Sequence, residues 1–245
     1  LKEVLAVADR ITVMRRGQVV GSTTPAEIDE HGLAAMMVGR EVLLVVDKEP
    51  AQPKDPVLEV QNLTVLDERK LEAVRGVSFQ VRSGEILGVA GVQGNGQTEL
   101  VEALTGLRGA KSGALKLDGK EMPFLNPRHL VEHGVSHIPE DRQKHGLVMS
   151  YSIADNEVLC TYYQPPFASG IRRNFPAITA NARALVKRFD VRTPSEQEPA
   201  GNLSGGNQQK VILAKWLTVD TDVLIFDEPT RGIDVGAKSE IYRLL

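Results

Sequence analysis

Apolar positions recur with a helical period at the start of the chain. Leu1, Val4, Leu5 and Ala8 fall at i, i+3, i+4 and i+7, one face of a helix. Residues 11–14 predict a short strand, Arg16-Gly17 a turn, and Val19-Val20 the returning strand. Thr24-Pro25-Ala26-Glu27 predicts a second helix, with Thr24 as N-cap, Pro25 in the first turn and Glu27 three residues after the cap. Residues 47–56 then carry three prolines and five charges. That is the composition of a linker, and a domain boundary is expected there.

Beyond it the pattern restarts. Residues 58–65 and 74–81 predict two strands, paired antiparallel. Residues 86–90 (Ile-Leu-Gly-Val-Ala) lack polar side chains, which suits a buried parallel strand. Residues 97–105 place Leu100, Ala103 and Leu104 at helical spacing and stop before Gly106. Residues 115–117 and Asp118-Gly119 predict a strand and hairpin turn. Asn126-Pro127 caps a short helix ending at Gly134. Helices are expected at 152–163 and 177–189, flanking a Pro/Gly-rich loop, and at 205–217, where Val211, Ile212, Lys215 and Trp216 leave a partly apolar face. Residues 223–226 predict a second buried strand, and the chain ends inside the helix after it. Strands alternating with helices indicate an α/β domain with a mostly parallel sheet.

Composition narrows the function class. With 245 residues, 42% hydrophobic and 25% charged, the chain is one large domain or two small ones with a packed core. Basic side chains number 29 and acidic 32, a net charge of −3, which disfavours nucleic acid as a partner. The single cysteine, Cys160, has no internal disulfide partner, so oxidising secretion is not supported. No apolar run, residues 42–46 included, approaches the ~18 residues that span a bilayer. No secretory signal opens the chain. It begins at Leu1, already in a helical pattern, so a piece of a longer protein is expected.

Three motifs carry the chemistry. Gly91-Val-Gln-Gly94-Asn95-Gly96-Gln97-Thr98 lies between a predicted strand and a predicted helix, the context of a phosphate-binding loop. Glycines let backbone N–H groups approach phosphates, and the helix N-terminus adds partial positive charge. Thr98 stands where the motif's hydroxyl ligates Mg²⁺, Glu99 follows it, and Gln97 replaces the motif's lysine. Glutamine keeps a donor and loses the charge, so a phosphate ligand is expected to bind about 10-fold or more weakly than to a lysine-bearing loop. Downstream, Val223–Phe226 delivers Asp227 and Glu228 at its C-terminal end, the edge where doubly wound sheets bind ligands. Asp227 suits a metal contact and Glu228 the orientation or deprotonation of water. The alternative is an acidic cap beside Pro229 for the next helix. The third motif, Leu203-Ser204-Gly205-Gly206-Asn207-Gln208, opens a helix with a hydroxyl and exposed N–H groups. It is either a plain N-cap or an anion site.

Together these motifs resemble ATP-binding-cassette ATPases over residues 57–245. Asp227-Glu-Pro-Thr-Arg-Gly-Ile-Asp234-Val-Gly-Ala-Lys238 extends the match, with Asp234 at the family's D-loop position. Asn207-Gln208-Gln209, Pro139-Glu140-Asp141-Arg142 and Gln97 resemble the tandem-cassette subunits of bacterial importers for simple sugars and nucleosides. The resemblance implies a P-loop NTPase fold with a mostly parallel sheet, an antiparallel β subdomain and a helical subdomain. It implies ATP and Mg²⁺ as cofactors, with Thr98 and Asp227 on the metal and Glu228 catalytic. Gly91, Gly94, Asn95, Gly96, Gln97, Thr98 and Glu99 would bind ATP. Residues 203–208 would complete the site on another cassette.

Residues 1–46 would be the end of a first cassette, 47–56 a linker, and 57–245 most of a second, stopping before its switch histidine. The whole would be a protein of about 500 residues. Its partners would be transmembrane permease subunits, the first cassette of the same polypeptide and, indirectly, a periplasmic or lipid-anchored substrate-binding protein, at the cytoplasmic face of the cell membrane. Residues 140–190 would face the permease. A soluble ATPase of the same fold, or a regulatory module that hydrolyses weakly, are the alternatives.

Two positions depart from the family. No aromatic lies in 64–70, where one should stack on adenine. Glu140 stands at the Q-loop glutamine, with Gln143 nearby. Other features have structural explanations. His129, His133, His137 and His145 are expected at the surface, Arg172-Arg173 in a solvated loop, Cys160 buried on a helix, and Trp216 in the core.

Overall fold

The computed structural model describes residues 1–41, 49–124, 126–233 and 235–244. They form two compact units, one made of residues 1–49 and 230–245 and the other of residues 50–229.

In the smaller unit, α1 (Lys2–Val7) precedes the hairpin β1 (Ile11–Arg15) and β2 (Gln18–Thr23), and Arg16-Gly17 turns between the strands with positive φ. Ile11, Val13 and Leu33 form its core against Leu1, Leu5 and Ala8, the predicted apolar face of the first helix. The helix predicted at Thr24 is only a turn. Glu27 Oε2 does accept from the Thr24 N–H at 3.1 Å and from its hydroxyl at 3.0 Å. Helix α2 (Glu30–Val38) starts later, because Asp29 takes the Gly32 N–H at 2.8 Å and becomes the cap. Helix α8 (Val235–Leu244) also belongs to this unit, where Arg40 pairs with Glu240. The apolar run at 42–46 lies outside the described residues.

The larger unit opens with an antiparallel sheet. Strands β3 (Pro56–Leu66), β4 (Glu72–Arg82), β5 (Ala110–Leu117) and β6 (Lys120–Met122) pair in the order β4-β3-β5-β6. Leu58, Val60, Leu63 and Val65 all face inward, and the ladder slips between Val60 and Leu63 so that the second pair keeps the same face. Against this face lie Ala103 and Leu104 of α3 (Gln97–Leu104), Leu130 of α4 (Pro127–Glu132), and Val135 and Val223. The last two belong to β7 (Val135–Ile138) and β10 (Val223–Phe226), which pair in parallel. Strand β7 was not predicted, because Ser136 and His137 break its apolar pattern.

The strand expected at 86–90 is absent. Ile86 is 79% and Val89 61% exposed, and no described strand pairs with the segment. A parallel strand exists only through its neighbours' hydrogen bonds, and β7 and β10 bond to each other.

The remaining elements are helical. The helix predicted at 152–163 shortens to α5 (Ile153–Glu157), followed by turns, so Cys160 is half-buried in a turn and not on a helix. Helix α6 (Phe175–Arg188) follows the small hairpin of β8 (Ala168–Ser169) and β9 (Arg172–Arg173), and Asn174 caps it. Ala154, Val158, Ile178 and Ala182 make a local core. Helix α7 (Gly205–Leu217) is buried from Gln208 to Trp216, as expected for Trp216.

Candidate functional site

The glycine-rich loop ends where α3 begins. Gly94 (φ 87°) and Gly96 (φ 100°) are left-handed, and a Cβ on Gly96 would lie 2.5 Å from the Ala73 carbonyl oxygen. Only glycine fits there. Gln97 folds back across the loop. Its Nε2 donates to the Val92 carbonyl at 3.1 Å, and its Oε1 accepts from the Asn95 N–H at 3.2 Å. The same Asn95 N–H reaches Val92 O at 3.2 Å, closing a turn. A Cβ on Gly91 would collide with Gln97 Nε2. The donor that sequence reasoning assigned to phosphate is therefore bonded within the loop.

Asp227 stands at the end of β10, its N–H bonded to Ile138 O at 2.9 Å. Its carboxyl is raised above the ordinary aspartate range, first by burial and then by Glu228 and Glu102. Glu228 is exposed with φ 44°, a left-handed conformation that costs a non-glycine residue energy and collects at functional sites.

A cavity of about 470 Å³ brings Thr98, Glu99, Glu140 and Asp227 to one place, within the usual range for a small-molecule site. Glu228, the signature residues and residues 91–97 are not among its lining. His137 is half-buried here and not at the surface. Burial, then His145 and Lys215, lower its pKa to about 4, so the imidazole is neutral at pH 7. Its buried Nε2 has no hydrogen-bond partner among the described residues.

Residues 67–69 also line the cavity, and no Phe, Tyr or Trp does. Two guanidinium groups do. Arg69 is held by Asp67 at 3.0 and 3.1 Å, and Arg108 by Glu102 at 2.5 Å and by Leu66 O at 3.1 Å.

The third motif separates into two roles. Leu203 is buried. Ser204 holds the N-cap position of α7 and is exposed, yet its hydroxyl caps no N–H. It accepts instead from Asn207 Nδ2 at 3.0 Å. Gly205 and Gly206 open the helix beside it. Asn207 Oδ1 takes the Arg192 N–H at 2.9 Å. Gln208 is buried, and its Nε2 donates to Ala200 O at 3.2 Å and Leu203 O at 3.1 Å. Arg142 Nε donates to Gln208 Oε1 at 3.4 Å, tying the Pro-Glu-Asp-Arg segment to this helix. Asp141 caps a wide turn at Arg142–Gly146 by accepting from the N–H groups of Gln143 and Lys144, each at 3.0 Å, and those bonds lower its pKa. Sequence reasoning missed that turn and the Arg142 contact. Asp-x-x at a turn start was the available signal. Asp234 lies outside the described residues. Among the described residues, no group of three or more His, Cys, Asp or Glu is placed to hold a metal ion.

A family model described as ABC transporter matches residues 74–231, a span that takes in the loop, the signature, the acid pair and the cavity lining apart from residues 67–69. The chain belongs to this family. This ABC transporter chain is 46% identical over 245 residues to the nucleoside import ATP-binding protein NupA of Lactococcus lactis subsp. cremoris (strain MG1363), covering 100% of the chain and 48% of that protein. It is 44% identical to the guanosine import ATP-binding protein NupO of Bacillus subtilis (strain 168), covering 98% and 47%. It is 41% identical to the xylose import ATP-binding protein XylG of Thermoanaerobacter pseudethanolicus (strain ATCC 33223 / 39E), covering 100% and 49%. The chain thus spans about half the length of the curated relatives it matches.

Its fold matches the crystal structure of the ADP conformation of MJ1267, an ATP-binding cassette of an ABC transporter. The TM-score is 0.62 at 20% identity, over 78% of this chain and 76% of that one. The α/β cassette fold expected from the motifs is therefore the observed one.

Proposed function

We propose that this chain is the ATP-binding and ATP-hydrolysing part of an importer for simple sugars or nucleosides. Residues 1–46 end one cassette and residues 57–245 form most of a second, joined by the linker at 47–56. The observation that carries the reading is the single cavity shared by Thr98, Glu140 and Asp227, because a hydroxyl and a carboxylate from two separate motifs converge there. The names of relatives at 41–46% identity, all import ATP-binding proteins, support the transport setting.

Thr98 and Asp227 would hold Mg²⁺. Burial first, and then crowding by Glu228 and Glu102, raises the Asp227 pKa, and a divalent cation relieves that crowding. Bound there, the ion would neutralise charge on the β- and γ-phosphates. Glu228 would orient the attacking water and take its proton. Glu140, at the cavity wall, stands where the nucleotide site would report to the permease.

Ser204, Gly205 and Gly206 would complete the ATP site of the first cassette, their exposed helix end facing its phosphates. Asp234 would line the cassette contact. ATP would close the two cassettes, hydrolysis would reopen them, and a transmembrane permease would follow. A substrate-binding protein would act through that permease. The protein would sit at the cytoplasmic face of the membrane, and no described helix is long and apolar enough to cross a bilayer.

A second reading, a regulatory site that hydrolyses weakly, is favoured by the Gln97 amide bonded inside its own loop. Single-turnover hydrolysis by the full-length protein, with the first site disabled, tests both. Under the first reading Glu228→Gln lowers turnover ~100-fold or more while ATP still binds. Turnover already at the variant's level in the unsubstituted protein would establish the regulatory reading.

A further inference from the structure

We infer that the Gln97 side chain is an intramolecular latch on the phosphate loop, competing with the phosphate for the backbone donor at Asn95. The inference rests on the nucleotide reading of that loop. A phosphate cradle works through inward-facing N–H groups that await an anion. Here the Asn95 N–H is engaged twice, by Gln97 Oε1 and by Val92 O, each at 3.2 Å. The Val92 carbonyl, a negative dipole end, is held in place by Gln97 Nε2 at 3.1 Å.

A primary amide is suited to this because it offers a donor and an acceptor on one planar group. It bridges a C=O and an N–H three residues apart, as a backbone peptide would. A lysine at this position could donate to Val92 O and could not accept from Asn95. The substitution therefore does more than remove a charge. It adds an acceptor that occupies the cradle.

Gly91 fits the same arrangement, since a Cβ there would collide with Gln97 Nε2. Phosphate entry then requires Gln97 to rotate away and Asn95 to exchange one acceptor for another. Gln97 is a positioning residue in this scheme. It sets how available the loop is and takes no part in the chemistry.

The latch predicts tighter binding for neutral substitutions, whereas a simple loss of charge predicts equal or weaker binding. The test is binding of inorganic tripolyphosphate and of ATP to the full-length protein, with the first site disabled. Gln97→Met keeps the bulk without the hydrogen bonds, and Gln97→Ala removes both. Both variants are expected to bind tripolyphosphate about 5-fold or more tightly than the unsubstituted protein, which is about 1 kcal/mol. In ligand-free protein, amide hydrogen exchange across residues 92–97 should be faster in both variants. Gln97→Glu keeps the acceptor and adds a negative charge, so it should bind more weakly.

Equal or weaker tripolyphosphate binding by both Met and Ala variants would overturn the latch and leave the nucleotide reading intact. Absence of tripolyphosphate and ATP binding in every variant would overturn the nucleotide reading, and the latch with it.

Discussion

Two helices of the larger unit begin on glycine-bearing turns, and they are kept in different states. At the start of α3 the loop is closed upon itself by Gln97. At the start of α7 the Ser204 hydroxyl is tied to the Asn207 side chain, and among the described residues no side chain caps the backbone N–H groups of Gly205 and Gly206. Glycine makes both ends approachable. The neighbouring side chain decides whether the donors are available, so the same local chemistry yields one engaged end and one uncapped end.

The supports beneath them differ as well. Helix α3 rests Ala103 and Leu104 on an apolar sheet face. Helix α7 buries Val211 to Ala214 completely and is in addition fixed by directional bonds: Gln208 to two carbonyls, Lys210 Nζ to Asp190 O at 2.8 Å, and Lys215 Nζ to Gly146 O at 2.7 Å. Apolar packing sets distance, and polar pins set rotation. Under the proposed composite site, where the end of α7 would meet a ligand carried elsewhere, the second would matter more.

The comparison is broken most severely by filling the uncapped end. Ser204→Arg in the full-length protein places bulk and charge at the start of α7, and uptake is expected to fall ~100-fold or more. Ser204 is exposed, so stability should move by no more than about 0.5 kcal/mol. Unchanged uptake would refute the composite site.

A second measurement uses pH to separate the two regions. On the helical side, Glu157 is buried with neither carboxylate oxygen partnered among the described residues, and burial pushes its pKa up to about 8. The folded state therefore holds this proton more tightly than the unfolded state does. Stability falls as pH rises from about 4.5 to about 8, by a ceiling of roughly 5 kcal/mol. Glu157→Leu should flatten that alkaline limb in denaturant melts at pH 5 and pH 8. A limb that survives in the variant belongs to another group.

On the strand side the sign reverses. His137, on β7, is held neutral down to about pH 4. Its contribution is complete above the ordinary histidine value of 6.5 and is lost as pH falls toward 4, by a ceiling of roughly 3 kcal/mol. His137→Phe should flatten this acid limb and leave the alkaline one in place. If one substitution removed both limbs, the two regions would be coupled and the comparison would fail.

Much of this molecule is written locally. The alternation of Leu58 with Val60 and of Leu63 with Val65, the spacing of Ala103 and Leu104, Asn126-Pro127 as a helix start and the four apolar residues before Asp227 each specify an element through nearest-neighbour chemistry. The motifs are equally local, because a glycine turn, a hydroxyl and a carboxylate pair are read from composition and order. Those parts, with the cassette family they indicate, were determined by the sequence itself.

Tertiary structure decided what depends on a partner distant in the chain. Residues 86–90 have the composition of a buried strand and are exposed, while Ser136 and His137 sit in a strand that their polarity conceals. In both cases hydrogen-bonded neighbours, not side-chain pattern, make the strand. Thr24 donates its N–H and its hydroxyl to Glu27 Oε2 without starting a helix, because Asp29 caps the one that follows. The amide of Gln97 could point to a ligand or to its own loop. Its direction was settled by the fold of residues 91–96, which places a carbonyl and an N–H within reach of one planar group.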